Sequence, residues 1–285
     1  MFETYDVSRF LGRPVHLFVF RRGPLVWRFA SCDRDVTVDG HTYLGAQIKR
    51  GEIKQTAERA KDKLTISLAY LRDPNAFAYP VTQSLGDNWF PYTPGQAVTV
   101  ECLATHFGDT DPPVVEWTGE VLQPRFKDVE LELQCVPTRS YDRAYNQGPK
   151  WQRACWKTVY STGVRGCNLG LDAFKVDAEL TEVDGLTLTA AEFAAAPINL
   201  AGGWIEWEGV SGTQRLTVMR HVGSEITVLS GASELEVGLV VAARPTCEQT
   251  WEACAARRAD PQNHFGGAVY KPIKNPREGV SMSWG

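Results

Sequence analysis

The stretches WQRACWKTVYSTGVRGC, residues 151–167, and CEQTWEAC, residues 247–254, hold four of the seven cysteines of the chain. Eleven residues separate the cysteines of the first pair, six separate those of the second, and 79 lie between the pairs. The chain must fold back on itself for all four to meet. Clustered thiols in a reducing compartment bind metal more often than they form disulfides. The pattern predicts a four-thiolate site made of Cys155, Cys167, Cys247 and Cys254.

Ligand chemistry leaves two candidates, because four thiolates suit tetrahedral zinc or an iron–sulfur cluster. Neither pair has the CXXC spacing usual in zinc ribbons. On one continuous helix Cys247 and Cys254 would sit about 10 Å apart along the axis, whereas zinc-bound sulfurs lie under about 4 Å apart. With Thr246 as the helix N-cap, Cys247 would lie just outside the first turn, within reach of a wider cluster. The spacing favours a four-iron, four-sulfur (4Fe-4S) cluster, with Zn as the alternative.

The residues near the thiols also favour a cluster, since cations and excluded water stabilise its net negative charge. Aromatic side chains near the thiols would exclude water there, or are ordinary core residues. The cations are Arg153, Lys157, Arg165, Arg257 and Arg258. The aromatic residues are Trp151, Trp156, Tyr160 and Trp251.

Strand patterns dominate the rest of the sequence. Residues 15–30 predict a hairpin around Gly23-Pro24, and Asp39-Gly40 is the two-residue turn favoured between twisted antiparallel strands. Apolar residues alternate with polar ones in 64–70, 98–102 and 129–135, which is the period of a half-buried strand. Further strands are predicted in 174–188, 203–208, 215–221, 225–229 and 237–243.

The predicted fold is therefore mainly β, a β-rich α+β class with short helices at 190–196 and after Thr246. Prolines make residues 71–97 an irregular surface excursion. A polar stretch places a domain boundary near residue 145. We predict an N-terminal β-rich domain, 1–145, and a C-terminal iron–sulfur region, 146–285, with a β domain inserted at about 168–246.

The other three cysteines are not predicted to be ligands. Cys102 and Cys135 share the apolar faces of their strands, where a thiol behaves as a small hydrophobe. Cys32 has no cysteine near it in sequence and is predicted to be unreactive.

Composition and motifs exclude several function classes. A net charge of -4 argues against a general nucleic-acid or anionic-membrane binder, and the apolar runs are too short to span a bilayer. The N-terminus lacks a secretory signal pattern, which predicts a cytosolic start. There is no phosphate loop and no HEXXH, and the five histidines are scattered, so no enzyme is predicted. His264, near Cys254, is a second-shell donor, an alternative ligand or an ordinary loop residue.

Three segments together resemble the tail-tip hub proteins of siphophages and gene transfer agents, a family with a relative in lambda-like phages. The resemblance covers most of the C-terminal half, and more loosely the N-terminal β domain. Many relatives carry a shorter, glycine-rich turn before the second cysteine. The segments are Arg153 to Asn168, the run GGWIEW at 202–207, and Cys247 to Cys254 followed by NHFGG at 263–267.

The resemblance implies a structural virion protein of a long non-contractile tail, at the tail tip. It implies a homotrimer between the distal tail protein and the central receptor-binding protein, with DNA passing through the lumen without sequence-specific binding. Such a protein is assembled in the host bacterial cytoplasm. The resemblance also implies a 4Fe-4S cluster on the four cysteines, with a structural role; a zinc-stapled binding module and an electron-transfer protein are the alternatives.

Overall fold

The computed structural model of this chain describes residues 7, 12–54, 63–109, 111–138 and 151–271. The chain divides into two compact units. The first comprises Met1–Asp142, Glu208–Gln214 and Ser230–Glu234, and the second comprises Arg143–Trp207, Arg215–Leu229 and Leu235–Gly285. The boundary predicted near residue 145 lies outside the described residues.

The first unit is built on a nine-stranded sheet with the order β3-β4-β2-β1-β7-β8-β9-β6-β5. Strands β2 and β4 are parallel, and all other neighbours are antiparallel. The sheet is therefore mixed. The strands are β1 (Pro14–Arg22), β2 (Leu25–Ala30), β3 (Val36–Val38), β4 (His41–Gly45), β5 (Ile48–Arg50), β6 (Leu64–Ala69), β7 (Thr99–His106), β8 (Val114–Phe126) and β9 (Glu130–Pro137).

One face of this sheet packs into the main core of the first unit. Strand β6 buries every second residue, Leu64, Ile66 and Leu68, against the partner positions of β9. Cys102 and Cys135 are fully buried in the same core, as their place on the apolar faces predicted. Burial raises the pKa of the Cys102 thiol to about 12. These two thiols are core residues.

The segment between β6 and β7 is mostly irregular, as its prolines predicted, but it contains a short helix, α1 (Gln83–Gly86), and the 3-10 turn Asp87–Trp89. The Gln83 side chain accepts a hydrogen bond from Leu71 N and donates one to Leu71 O. Tyr70 is buried and donates through its hydroxyl to Asp87 Oδ1 at 3.1 Å. These contacts fasten the segment to the end of β6.

The second unit carries a seven-stranded sheet with the order β10-β16-β13-β14-β15-β12-β11. Alternation is clearest in β14, where Gln214, Leu216 and Val218 are buried and the residues between them are exposed. The predicted 174–188 strand is broken into three. The strands are β10 (Val176–Glu179), β11 (Glu182–Asp184), β12 (Thr187–Thr189), β13 (Trp204–Gly209), β14 (Gly212–Val222), β15 (Glu225–Val228) and β16 (Val240–Arg244).

Three short helices complete this unit: α2 (Ala191–Ala194), α3 (Trp251–Arg257) and α4 (Pro261–His264). The fold is mainly β, as predicted. Among the residues that the structure describes, no helix has the length and apolar character needed to cross a membrane.

Candidate metal centre

The first cysteine pair lies in irregular chain held by local hydrogen bonds. Asn168 Nδ2 donates to Gly163 O at 2.9 Å, and Asn168 Oδ1 accepts from Gly163 N at 2.8 Å. Ser161 Oγ accepts from Cys167 N at 2.9 Å. The turn needs left-handed backbone at Gly163, where φ is 104°, a conformation that glycine adopts without strain. The loop therefore presents Cys167 in a fixed position.

The second pair straddles the start of helix α3. Thr250 is the N-cap, and its Oγ1 accepts from Ala253 N at 3.1 Å. The prediction of Thr246 as the N-cap is wrong, because the backbone at Gln249 has a φ of 59° and cannot continue a helix. Cys247 nevertheless lies outside the helix, as predicted, while Cys254 lies within it. The two thiols are not held at opposite ends of one continuous helix.

One backbone hydrogen bond and one donated by an arginine side chain join the two pairs. Cys155 N donates to Gln249 O at 2.8 Å, which connects the first cysteine to the segment between the second pair. The Arg258 guanidinium donates to Cys167 O at 2.8 Å and so connects the end of α3 to the second cysteine. The folding back that the spacing required is therefore present.

The four thiols influence one another electrostatically at Cys254. Burial raises the pKa of the Cys254 thiol, and the thiols of Cys155, Cys167 and Cys247 raise it further, while Arg258 lowers it. Cys155 is buried, and the other three are partly exposed.

Two backbone N–H groups point at cysteine sulfurs. Gly266 N donates to Cys155 Sγ at 3.2 Å, and Gln249 N donates to Cys247 Sγ at 3.4 Å. Such donors stabilise negative charge on a thiolate and tune a metal or cluster bound to it. The donor set thus fits a thiolate-ligated group. Within the described part of the chain, no three His, Cys, Asp or Glu side chains are arranged to hold a single metal ion.

The cations predicted to surround the thiols lie in different environments. Arg257 donates to Ala253 O and Thr246 O, which fixes its guanidinium beside the second pair, whereas Arg258 donates to Cys167 O, in the first pair. Arg153 and Arg165 are exposed. His264 lies at the end of α4, and its Nε2 is 3.4 Å from a carboxylate oxygen of Asp260.

Of the aromatic residues predicted to exclude water, three are partly buried and one is not. Trp251 packs edge-on against Phe265 with ring centroids 5.5 Å apart, and Tyr160 packs edge-on against Trp204 at 5.6 Å. Trp156 is also partly buried. Trp151 is 73% exposed, and Lys271 Nζ lies over its ring. Trp151 therefore does not shield the thiols.

A buried arginine outside the predicted set connects the cysteine region to the seven-stranded sheet. Arg244 is 5% exposed, forms ion pairs with Glu206 and with Asp172, and donates to Leu171 O. The Tyr160 hydroxyl donates to the carbonyl of Pro245, the next residue, at 2.8 Å. The sequence held no local signal for these contacts, because bonded partners lie up to 85 residues apart.

Comparison with known proteins identifies similarity both in sequence and in structure. No family model matches the chain. A protein of Xylella fastidiosa (strain 9a5c), described as "Uncharacterized protein", is 52% identical over 185 residues, or 65% of this chain and 38% of that protein. This chain therefore spans well under half the length of that relative.

One structural relative is a chain of the "Virion of native gene transfer agent (GTA) particle". The match has a TM-score of 0.73 and covers 99% of this chain and 96% of that chain, at 15% sequence identity. This protein is thus similar in fold, over its whole length, to a gene transfer agent virion protein.

Proposed function

We propose that this protein is a structural component of a gene transfer agent or phage-like virion, and that it acts without catalysis. The observation that carries the proposal is the shared fold over nearly the whole of both chains. Fold alone does not fix function. The four-cysteine region adds a second, independent argument, because its sequence segments are those that resemble tail-tip hub proteins.

We place the protein at the tip of a long non-contractile tail, as a homotrimer that bridges the distal tail protein and the central receptor-binding protein. Closed symmetry is the common arrangement of homo-oligomers and would cover sheet edges such as β3 and β5. DNA would pass through the lumen without sequence-specific contacts. This finer placement rests on the resemblance of the cysteine segments.

The four cysteines would hold a 4Fe-4S cluster as thiolates, with Gly266 N–H and Gln249 N–H donating to two of the sulfurs. The cluster would supply a covalent link between chain segments, and metal binding of this kind contributes directly to folding stability. Because 79 residues lie between the pairs, the link would close a long loop. Closing a long loop removes more conformational entropy from the unfolded chain than closing a short one. We therefore assign the cluster a structural role.

The virion proposal is tested on purified particles. Antibodies against this chain should label one end of the tail in immuno-electron microscopy, and the chain should copurify with capsid protein. A particle preparation that transfers DNA normally but contains none of this chain would contradict the proposal. Deletion of the gene should yield tails that do not assemble into infectious particles. Complementation by the intact gene is the control.

A further inference from the structure

The first unit has an open surface cleft of about 440 Å³ that the cysteine site does not involve. Phe90 and Phe126 form its apolar part, with ring centroids 6.1 Å apart in an edge-on arrangement. Its volume lies within the range of small ligand sites. The lining residues are Arg72, Asp73, Phe90, Phe126, Lys127 and Asp128.

Arg72 is held in this cleft by aromatic rings. Its guanidinium lies 5.1 Å from the Phe90 ring centroid and 5.8 Å from that of Phe126, within the range of cation–π attraction. The backbone of the preceding residue, Leu71, is fixed by two hydrogen bonds to Gln83. The side chain is therefore positioned without any ionic contact.

The donors of Arg72 are unused. In the part of the chain that the structure describes, no carboxylate lies within ion-pair distance of its guanidinium and no acceptor takes a hydrogen bond from it. Lys127, the other cation of the cleft, is bound by Glu132 at 2.8 Å. A planar guanidinium presents its N–H groups in a fork that matches a carboxylate.

The cleft also carries negative charge. Asp73 Oδ1 accepts from Asn75 N at 2.8 Å, whereas the exposed Asp128 carboxylate has no hydrogen-bond or ion-pair partner among the described residues. A free inorganic anion in the cleft would be attracted by Arg72 but repelled by Asp73 and Asp128. An occupant with charges of both signs would pair with Arg72 at one point and with Asp128 at another.

Exposed apolar side chains border the cleft. Tyr79 is 45% exposed and its hydroxyl donates to Asp73 O at 3.1 Å, and Val129 follows Asp128 at the turn before β9. Phe90 is itself 42% exposed. Tyrosine, phenylalanine and arginine grouped in one patch are typical of protein-binding surfaces.

We propose that this cleft binds an extended segment of another polypeptide that carries a carboxylate for Arg72, a basic side chain for Asp128, and an apolar residue against Phe90 and Phe126. Charge complementarity supports this occupant: around an aromatic floor the cleft displays the Arg72 guanidinium and the Asp128 carboxylate, which have no ion-pair partner among the described residues, while Asp73 accepts from a backbone N–H. The proposal concerns the first unit alone and stands apart from the cysteine site.

The test uses the full chain labelled with ¹⁵N-arginine and an acetylated, amidated probe peptide, Gly-Leu-Glu-Gly-Gly-Lys-Leu-Gly. Titration should shift the Nε–Hε signal of Arg72. Replacing Glu by Gln in the peptide, or Arg72→Gln in the protein, should weaken binding about tenfold or more, because a charge-assisted hydrogen bond is lost. Asp128→Asn should weaken binding of this peptide but not of a peptide with Gln in place of Lys.

Arg34→Gln is the matched control, since Arg34 is also an exposed arginine over a phenyl ring, 4.8 Å from the Phe107 centroid, but lies outside the cleft. It should leave the affinity unchanged. Equal binding of the Glu and Gln peptides, or no shift of the Arg72 signal at millimolar peptide, would overturn the proposal. Saturation of that signal by inorganic phosphate or by a thymidine oligonucleotide, with no response to the peptide, would also overturn it.

Discussion

Gly266 N donates a hydrogen bond to Cys155 Sγ at 3.2 Å, although the two residues are 111 positions apart in the sequence. Ala268 N donates to Gln152 O at 2.8 Å beside it. The chain after α4 therefore packs directly on the chain that carries the first cysteine. The glycine pair Gly266-Gly267 has a steric role here, because a Cβ at Gly266 would lie 2.9 Å from Trp156 Nε1 and one at Gly267 would overlap the Arg153 carbonyl oxygen.

We expect Gly267→Ala to destabilise the cysteine region. An added Cβ would overlap the carbonyl oxygen of Arg153 and come within 2.6 Å of the Phe265 ring, so backbone must move. Overpacking of this kind costs about 1–3 kcal/mol. The thermal midpoint and the retained metal per chain should both fall. Gly170→Ala is the control, because nothing lies within 4 Å of its Cβ position. Equal thermal midpoints and equal metal contents of the two variants would show that the close packing at Gly267 does not stabilise the region.

We expect Arg244→Met to destabilise the protein far more than Arg215→Met, although both arginines pair with Glu206. Removing buried Arg244 leaves Glu206, which is 14% exposed, without its closest partner, and breaking a buried pair costs about 3–5 kcal/mol. Arg215 is 60% exposed, and such a pair contributes about 1 kcal/mol or less. Urea unfolding of both variants provides the measurement, and similar losses of unfolding free energy would contradict this account.

The alkaline stability of the first unit should depend on Tyr70. Burial, together with the hydrogen bond to Asp87, raises the pKa of Tyr70 to about 12, above an unfolded value of about 10. The contribution is therefore fully present below about pH 10 and is lost as the pH rises toward about 12. Tyr70→Phe should lower the free energy of unfolding below pH 10 and make its decline between these values shallower.

Urea titrations at several pH values measure this difference, with Tyr270→Phe as the control for loss of an exposed hydroxyl. A Tyr70→Phe profile parallel to that of the native chain would show that Tyr70 does not carry the effect.

Local patterns predicted the parts of the fold that depend on local interactions. The Asp39-Gly40 turn formed because both residues take positive φ, 49° and 71°, which the short hairpin between β3 and β4 requires. Strand β8 was missed because two bulges break its alternation, at Glu116 and at Leu122. An extra residue at each bulge shifts the period of two, so no continuous apolar face appears in the sequence.

The sequence was enough to name candidate ligands, but it did not reveal their surroundings. Cysteine spacing indicated four thiols, and the thiols of Cys155, Cys167 and Cys247 each raise the pKa of the Cys254 thiol; that they bind a metal or cluster stays a prediction. The N–H donors of Gln249 and Gly266 are backbone groups, and a sequence holds no side-chain signal for them. Sequence reasoning gives Thr246 as the N-cap, but the left-handed backbone at Gln249 prevents a helix from running on from Thr246, and Thr250 caps α3 instead.

The central claim, a structural 4Fe-4S cluster on four cysteines, is tested most directly by iron, sulfide and zinc analysis after anaerobic purification. We expect about four irons and four sulfides per chain. The Cys155→Ser variant should lose the iron and the sulfide, and its folding stability should fall. Cys32→Ser should retain them, because Cys32 packs against a core cluster of the first unit and its Sγ donates to the Arg34 carbonyl oxygen at 3.0 Å. A colourless protein with stoichiometric zinc and no sulfide would contradict the claim.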